Sequence, residues 1–368
     1  MKIVITGGHL TPALATMDAL LKRDSKIEFH FFGRMHTREG DSALSAEHEL
    51  MKERGVPFYA VTTGRLQRSF TQYTIPSLLK IPFGLGQCFK YLQEIRPDIV
   101  VSFGGYLAVP VVIAARILGI PIVSHEQTLV PGLANQIISR FATVLALSFE
   151  ETEKHYGHIK TVLTGNPIRQ EIFVHNNAFK LDKKGLPVVY VTCGNQGSHF
   201  INESIFRLLP RLLEIMHVIH QTGNSKIFDD HATAIQLKES MSTDTPGSYQ
   251  VYSYVGPEII GDIYGCADVV LIRAGINTIC DLLALGKKGV VIPISKTSNN
   301  EQRSNATFFA KTGLGIALDQ ETMSDDVLYD SLMFLINKSV PNDVISSARS
   351  QIKLDAADRV ADLVLSTV

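Results

Sequence analysis

Two stretches of the chain carry the residue types that handle anions and protons. Thr6-Gly7-Gly8-His9 sets a histidine, whose proton moves near neutral pH, beside two glycines that let a ligand approach the backbone. Gly194-Asn195-Gln196-Gly197-Ser198 repeats the pattern, with Asn195 and Ser198 as further side-chain donors. Bare N–H groups at the start of a helix, together with the positive end of its dipole, suit a phosphate or a charge that develops during reaction. The same glycines are equally what a tight strand-to-helix turn needs, and the full G-x-G-x-x-G dinucleotide pattern is absent. Two such loops, one in each half, suit a pyrophosphate on one side and a reacting centre on the other.

Further polar clusters stand beside them. Arg273-Ala274-Gly275 places small residues where a flat ligand lies against backbone, and Thr278 and Asp281 follow. The Asp281 carboxylate is the kind of fixed acceptor that a ribose diol requires, though it fits a solvated helix face as well. Gly104-Gly105-Tyr106 and His125-Glu126-Gln127 put polar residues at the ends of two more strands. His125 beside Glu126 invites a general-base reading, although a strand-end histidine is more often a hydrogen-bonded structural residue.

These loops need strands and helices to hold them. Short β-branched apolar runs alternate with helical periods over the whole length, the pattern of strands buried on both faces of a parallel sheet, so the class is α/β. Val4-Ile5-Thr6 runs through Gly7-Gly8 into a helix whose apolar positions Ala13, Leu14, Met17, Leu20 and Leu21 share one face. Val188-Val189-Tyr190-Val191-Thr192 runs through the second glycine loop into a helix over about residues 202–215, so the second half copies the first. Further strands are predicted at 99–102, 122–124, 218–221, 269–272 and 290–294, each followed by turn or polar residues at the end where open α/β sheets bind ligands. The polar, aperiodic stretch 173–185 reads as a linker, with the domain boundary near 164–184.

Length and composition agree with two globular domains: 368 residues, 45% hydrophobic and 19% charged. A formal charge of −1 and the lack of any dense Lys/Arg run with interleaved aromatics argue against nucleic acid as a partner. Cys88, Cys193, Cys266 and Cys280 have neither zinc-site nor disulfide spacing and read as core residues of a protein in a reducing compartment. MKIVITGG lacks the apolar stretch and cleavage site of a secretory signal. No run reaches the roughly 18 apolar residues needed to cross a bilayer. The chain is expected in the cytoplasm, at most on a membrane surface.

Taken in order, Thr6-Gly7-Gly8-His9, Gly104-Gly105-Tyr106, His125-Glu126-Gln127, Pro131-Gly132-Leu133-Ala134-Asn135, Thr164-Gly165-Asn166-Pro167-Ile168-Arg169, Gly194-Asn195-Gln196-Gly197, Gln221-Thr222-Gly223, Arg273-Ala274-Gly275 and Gln302 resemble the MurG family of glycosyltransferases. The resemblance runs from residue 1 to about residue 320. It implies a GT-B fold: two Rossmann-like domains whose parallel sheets face one another across a cleft that takes a nucleotide-sugar. Residues 1–165 would form the acceptor side, residues 166–345 the UDP-sugar donor side, and a final helix near 346–368 would pack back on the first domain. The implied reaction moves N-acetylglucosamine from UDP-GlcNAc to lipid I, the lipid-linked muramoyl-pentapeptide, making lipid II for peptidoglycan. It proceeds with inversion and without metal or cofactor, and the sequence has no Asp-x-Asp metal motif.

Residue by residue, the resemblance sets Asp281 where a glutamate holds the ribose, Arg169 and Asn195 at donor phosphate or sugar contacts, and Glu301 and Gln302 where two glutamines read the sugar hydroxyls. Gly194, Gln196, Gly197, Arg273, Ala274, Gly275 and Thr278 complete the donor set. Thr6 and His9 lie in the loop facing the acceptor, with His9 the candidate base and Glu126 beside them in the catalytic set. Gly7, Gly8, Gly104, Gly105, Tyr106, His125, Thr128 and Asn135 form the acceptor side.

Departures from the family pattern bear on substrate identity more than on fold. The first loop lacks an extra Gly-Gly before Thr6; Thr128 stands for an asparagine, Asn195 for a serine, Asp281 for a glutamate, Glu301 for a glutamine and Val109 for a glycine. Ile75-Pro76-Ser77-Leu78-Leu79-Lys80-Ile81-Pro82-Phe83, with Phe89, Lys90 and Tyr91 after it, resembles the family's patch for an anionic inner leaflet. A helix buried in its own domain accounts for that pattern equally well. Rival functions are a UDP-sugar transferase with another lipid or small acceptor, a UDP-GlcNAc 2-epimerase of the same fold, whose acidic catalytic residues and glycine–histidine motifs are not found, and an inactive nucleotide-sugar-binding scaffold.

Overall fold

The computed structural model describes residues 1–36, 44–64, 74–225, 227–241, 244–295 and 300–368; the side chains of 74–81 lie outside the described set. The chain forms two compact units, residues 1–169 with 353–368, and residues 170–352.

The first unit is built on a seven-stranded parallel sheet of β1 (Lys2–Thr6), β2 (Glu28–Gly33), β3 (Phe58–Ala60), β4 (Ile99–Ser102), β5 (Ile122–Glu126), β6 (Val144–Leu147) and β7 (Thr161–Leu163), in the order β3-β2-β1-β4-β5-β6-β7. Its helices are α1 (Leu10–Arg23), α2 (Ala46–Glu53), α3 (Thr74–Ile95), α4 (Ala108–Ile117) and α5 (Leu133–Ile138). The second unit has a six-stranded parallel sheet of β8 (Val188–Thr192), β9 (His217–Gln221), β10 (Tyr249–Tyr252), β11 (Val269–Arg273), β12 (Lys288–Ile292) and β13 (Gly315–Ala317), in the order β10-β9-β8-β11-β12-β13. Around it lie α6 (His199–Leu213), α7 (Asp230–Ser240), α8 (Ile260–Cys266), α9 (Ile276–Leu285), α10 (Glu301–Lys311), α11 (Asp325–Asn337) and α12 (Asn342–Ser350); α13 (Ala356–Leu365) returns to the first unit.

The central strands are apolar on both faces because helices cover both. Ile3, Val4 and Ile5 are completely buried, as are Val188, Val189 and Val191. Strand order reverses at β1/β4 and again at β8/β11. Crossover helices leave these switch points on opposite faces, which opens a crevice at the carboxyl ends of the two strands. The loops singled out for chemistry are the ones that flank the two crevices.

Three sequence expectations change. The polar stretch after residue 173 is fastened to the second unit: the Asp262 carboxylate accepts the amides of Asn177, Ala178 and Phe179 at 3.2, 2.8 and 3.0 Å, which holds its pKa below the usual carboxylate range. Linker-like composition here comes from a backbone that pairs with a side chain instead of a strand. The expected single terminal helix is two, α12 packed on α9 and α13 packed on α1. Arg23 joins α1 to Asp358 and Asp362 at 2.8 and 2.6 Å, but such exposed pairs contribute at most about 1 kcal/mol. The buried face of Ala357, Val360, Ala361 and Val364 therefore dominates the docking of α13. Leu21, assigned to the buried face of α1, is exposed.

All four cysteines are free. Burial pushes the thiols of Cys88 and Cys193 up to about 12, leaving them inert at neutral pH.

Candidate functional site

In the second unit the loop from β8 to α6 is shaped by close backbone approach. Gly197 has φ of +72°, and a Cβ there would collide with the Thr222 carbonyl; Gly223, at φ +90°, meets the backbone of Gln196 and Gly197. Gln221 Nε2 donates to Gly194 O at 3.0 Å while its Oε1 accepts the Val255 amide at 3.2 Å. The Asn224 amide donates to Asn195 O at 2.9 Å. The ends of β8, β9 and β10 are thereby tied together under one loop.

Arg273, at the end of β11, supplies the charge behind it. Its Nε and Nη2 donate to Ser198 Oγ at 3.0 and 2.7 Å, and Nη1 donates to Ile292 O at 3.2 Å. The guanidinium thus braces the loop from beneath. Ser198, the residue before α6, spends its hydroxyl on Arg273 and gives no side-chain cap to the helix. No atom lies within 4 Å of where a Cβ would sit on Gly194 or Gly275, so both glycines face open space.

The remaining donor candidates divide. Gln302, in the first turn of α10, accepts the Ile294 amide at 3.0 Å, and Glu301 is half-buried beside it. Thr278 is half-buried in α9. Asp281, by contrast, is buried in α9, only 2% exposed.

Sequence reasoning missed a buried polar chain directly under this loop. Asp230 accepts from His199 Nδ1 at 2.7 Å and from Asn202 Nδ2 at 2.8 Å. Asn202 also donates to Thr222 O at 2.9 Å and lies 3.0 Å from His220 Nε2, while His220 Nδ1 lies 2.9 Å from the Tyr249 hydroxyl. Desolvation lowers the His220 pKa to about 3, so the ring is a neutral structural link. The available signal was His199 and Asn202 three apart at the start of a helix, one face aimed at the strand that carries His220.

In the first unit, Gly8 (φ +136°) crosses the β4–α4 loop so closely that a Cβ would meet the Gly104 carbonyl. Gly104 and Gly105 also have positive φ, and a Cβ on Gly104 would collide with Asn135 Oδ1. The expectation of bare amides at the first loop is corrected here. Gly8 N donates to Glu47 Oε1 at 3.1 Å, and the same carboxylate lies under Gly7, where a Cβ would fall 2.6 Å from Oε2.

Glu126 is 1% exposed and fully engaged: it accepts the Thr128 amide at 3.0 Å, the Thr128 hydroxyl at 2.9 Å, Asn135 Nδ2 at 3.0 Å and the Tyr156 hydroxyl at 2.8 Å. Burial raises its pKa, and the four donors oppose that rise. The result is a pinned anchor rather than a free acid. His125 is equally enclosed, with Nε2 2.9 Å from Gly165 O and its pKa lowered to about 4 by desolvation. Thr6 is buried with its hydroxyl unpaired among the described residues. Thr6 and Glu126 of the expected catalytic set, and His125 of the expected acceptor side, are thus all buried at the strand ends.

His9 differs. It is the half-buried residue immediately before α1, with no side-chain cap bond, and burial lowers its pKa to about 4. At neutral pH it is an uncharged imidazole able to accept a proton. Arg169 is half-buried and ends the first unit; Tyr106 is half-buried in the β4–α4 loop. Val109, in the first turn of α4, packs partly buried against the core, so its substitution concerns packing more than a ligand.

Of the membrane patch, residues 75–81 have side chains outside the described set. Phe83 is 60% exposed, and exposed Lys90 lies 3.9 Å from Glu94. Phe89 and Tyr91 pack against the unit's own core, correcting their assignment to the surface patch. No described helix is long and apolar enough to cross a membrane.

Two Rossmann-like units, each with a glycine-lined crevice at a strand-order reversal, give the chain a GT-B fold. Residues 4–147 match the glycosyltransferase family 28 N-terminal domain and residues 188–360 match its C-terminal domain. The chain belongs to glycosyltransferase family 28. It is 34% identical over 371 residues to the UDP-N-acetylglucosamine--N-acetylmuramyl-(pentapeptide) pyrophosphoryl-undecaprenol N-acetylglucosamine transferase of Lachnospira eligens, covering 96% of this chain and 98% of that one. Among solved structures, Acinetobacter baumannii MurG superposes with a TM-score of 0.70 at 25% identity over all of both chains. The glycotransferase of kitacinnamycin matches at a TM-score of 0.71 over 100% of this chain and 98% of that one, and at 17% identity it shows the fold alone.

Proposed function

We propose that this chain transfers N-acetylglucosamine from UDP-N-acetylglucosamine to N-acetylmuramyl-(pentapeptide) pyrophosphoryl-undecaprenol, with inversion at the sugar carbon and no metal ion. The end-to-end match with transferases that carry this name supports the reading most directly. The second unit takes the donor. Its diphosphate is met by the amides of residues 194–198 and the start of α6, with the Arg273 charge behind them, and this arrangement offsets the negative charge that grows on departing UDP.

The first unit takes the acceptor. His9 removes the proton of the attacking hydroxyl, while Glu126, Thr128 and Asn135 hold the loops around it in register. Exposed Phe83, with the apolar residues before it in sequence, rests on the inner face of the cell membrane where the lipid acceptor resides.

The test is incubation of the purified chain with labelled UDP-N-acetylglucosamine and a short-chain lipid I analogue in EDTA. Label in a disaccharide lipid is expected. Label released only as free sugar removes the acceptor assignment, and product formed only after Mg²⁺ is restored removes the metal-free one.

A further inference from the structure

Three loops meet at the carboxyl edge of the first sheet: the one after β1 with Gly8, the one after β2 with Gly33 and Arg34, and the one after β4 with Gly104 to Tyr106. The usual anion contact at such an edge is the bare glycine amide, and here that amide is taken. Gly8 N lies 3.1 Å from Glu47 Oε1, and Arg34 N lies 3.4 Å from Oε2. Glu47 is largely buried in the first turn of α2, so a fixed carboxylate occupies the place where a phosphate would be expected. Like charge at that spot turns a second anion away.

The compensating cation stands one step along the same edge. Arg34 is the only arginine or lysine among the described residues of the three loops. Its Nη1 donates to the Tyr106 hydroxyl at 3.3 Å, and its Cζ lies 5.7 Å from the Tyr106 ring centroid. The guanidinium is half-buried and held on an aromatic face, which limits the freedom it would lose on binding. Its planar fork of donors matches two phosphate oxygens at once.

We infer that Arg34 is the contact for the acceptor's diphosphate, with Tyr106 as its platform and Glu47 as the internal anion that closes the Gly8 amide and directs phosphate onto the guanidinium. The inference rests on the acceptor reading proposed above. It adds to the reaction a specificity-determining residue that the sequence motifs did not single out.

The test uses the full chain saturated with UDP, so that the donor site is filled, and farnesyl diphosphate as the probe, followed by titration calorimetry. The wild-type chain is expected to bind it. Arg34→Gln should weaken binding at least tenfold, Arg34→Lys should restore part of it, and Glu47→Gln should tighten it several-fold, with UDP affinity the same in every variant. No binding by the wild-type chain overturns the inference, and so does equal binding by Arg34→Gln. Arg34-dependent binding without transfer to a lipid I analogue supports the Arg34 contact and removes instead the acceptor named for the reaction.

Discussion

Proton transfer at His9 depends on a ring that stays neutral where the enzyme works. Burial lowers its pKa to about 4, so the free enzyme keeps an unprotonated imidazole through the range where an ordinary histidine is half charged. The acidic limb of kcat/KM should lie near pH 4, and His9→Ala should lose that limb together with about 10²-fold in turnover while UDP affinity holds. A limb near 6.5, or a variant altered only in affinity, would demote His9 to binding. Glu126 makes the opposite prediction. Glu126→Gln turns an NH₂ group toward donors from Asn135, Thr128 or Tyr156, and should cost about 2–3 kcal/mol in the unfolding of the first unit. A normal melting curve with turnover abolished would restore it to the chemistry.

At the scale of elements, the two crevices are set by backbone proximity. Gly197→Ala places a methyl group against the Thr222 carbonyl at a φ of +72°, combining strain and overlap on the order of 3 kcal/mol. Titration with UDP should show its affinity reduced more than tenfold; an unchanged value would mean that the loop does not touch the donor. These glycines were legible in the sequence because a positive φ leaves few alternatives to glycine, and so were the strands, whose continuous apolar runs need cover on both faces. Glu47 and Arg34 were not legible. Each reaches its site by a tertiary approach between loops 39 and 72 positions apart in sequence, and nothing local marks a helix-face glutamate as an internal anion. Helical phase likewise placed Asp281 near the loop, but could not show the depth to which it is buried.

Across the whole molecule, neutral buried histidines tie stability to pH. His125 and His220 are held at about 4 and about 3, whereas in the unfolded chain they titrate near 6.5. Between those values the unfolded chain binds more protons than the folded one, so stability falls as pH drops below about 6.5 and is level above it. Unfolding free energies from denaturant titrations at pH 7.5 and pH 5 should differ by several kcal/mol in total; equal values would mean that these rings are hydrated.

In the proposed reaction the second unit takes the nucleotide-sugar and the first takes the acceptor. Hydrogen–deuterium exchange read peptide by peptide separates the two roles. UDP-N-acetylglucosamine should slow exchange across residues 194–200 and 273–278, and a lipid I analogue added afterwards should slow it across 6–10 and 104–108. Protection of the first unit's loops by the nucleotide-sugar alone, with residues 194–200 unaffected, would reverse the roles of the two units.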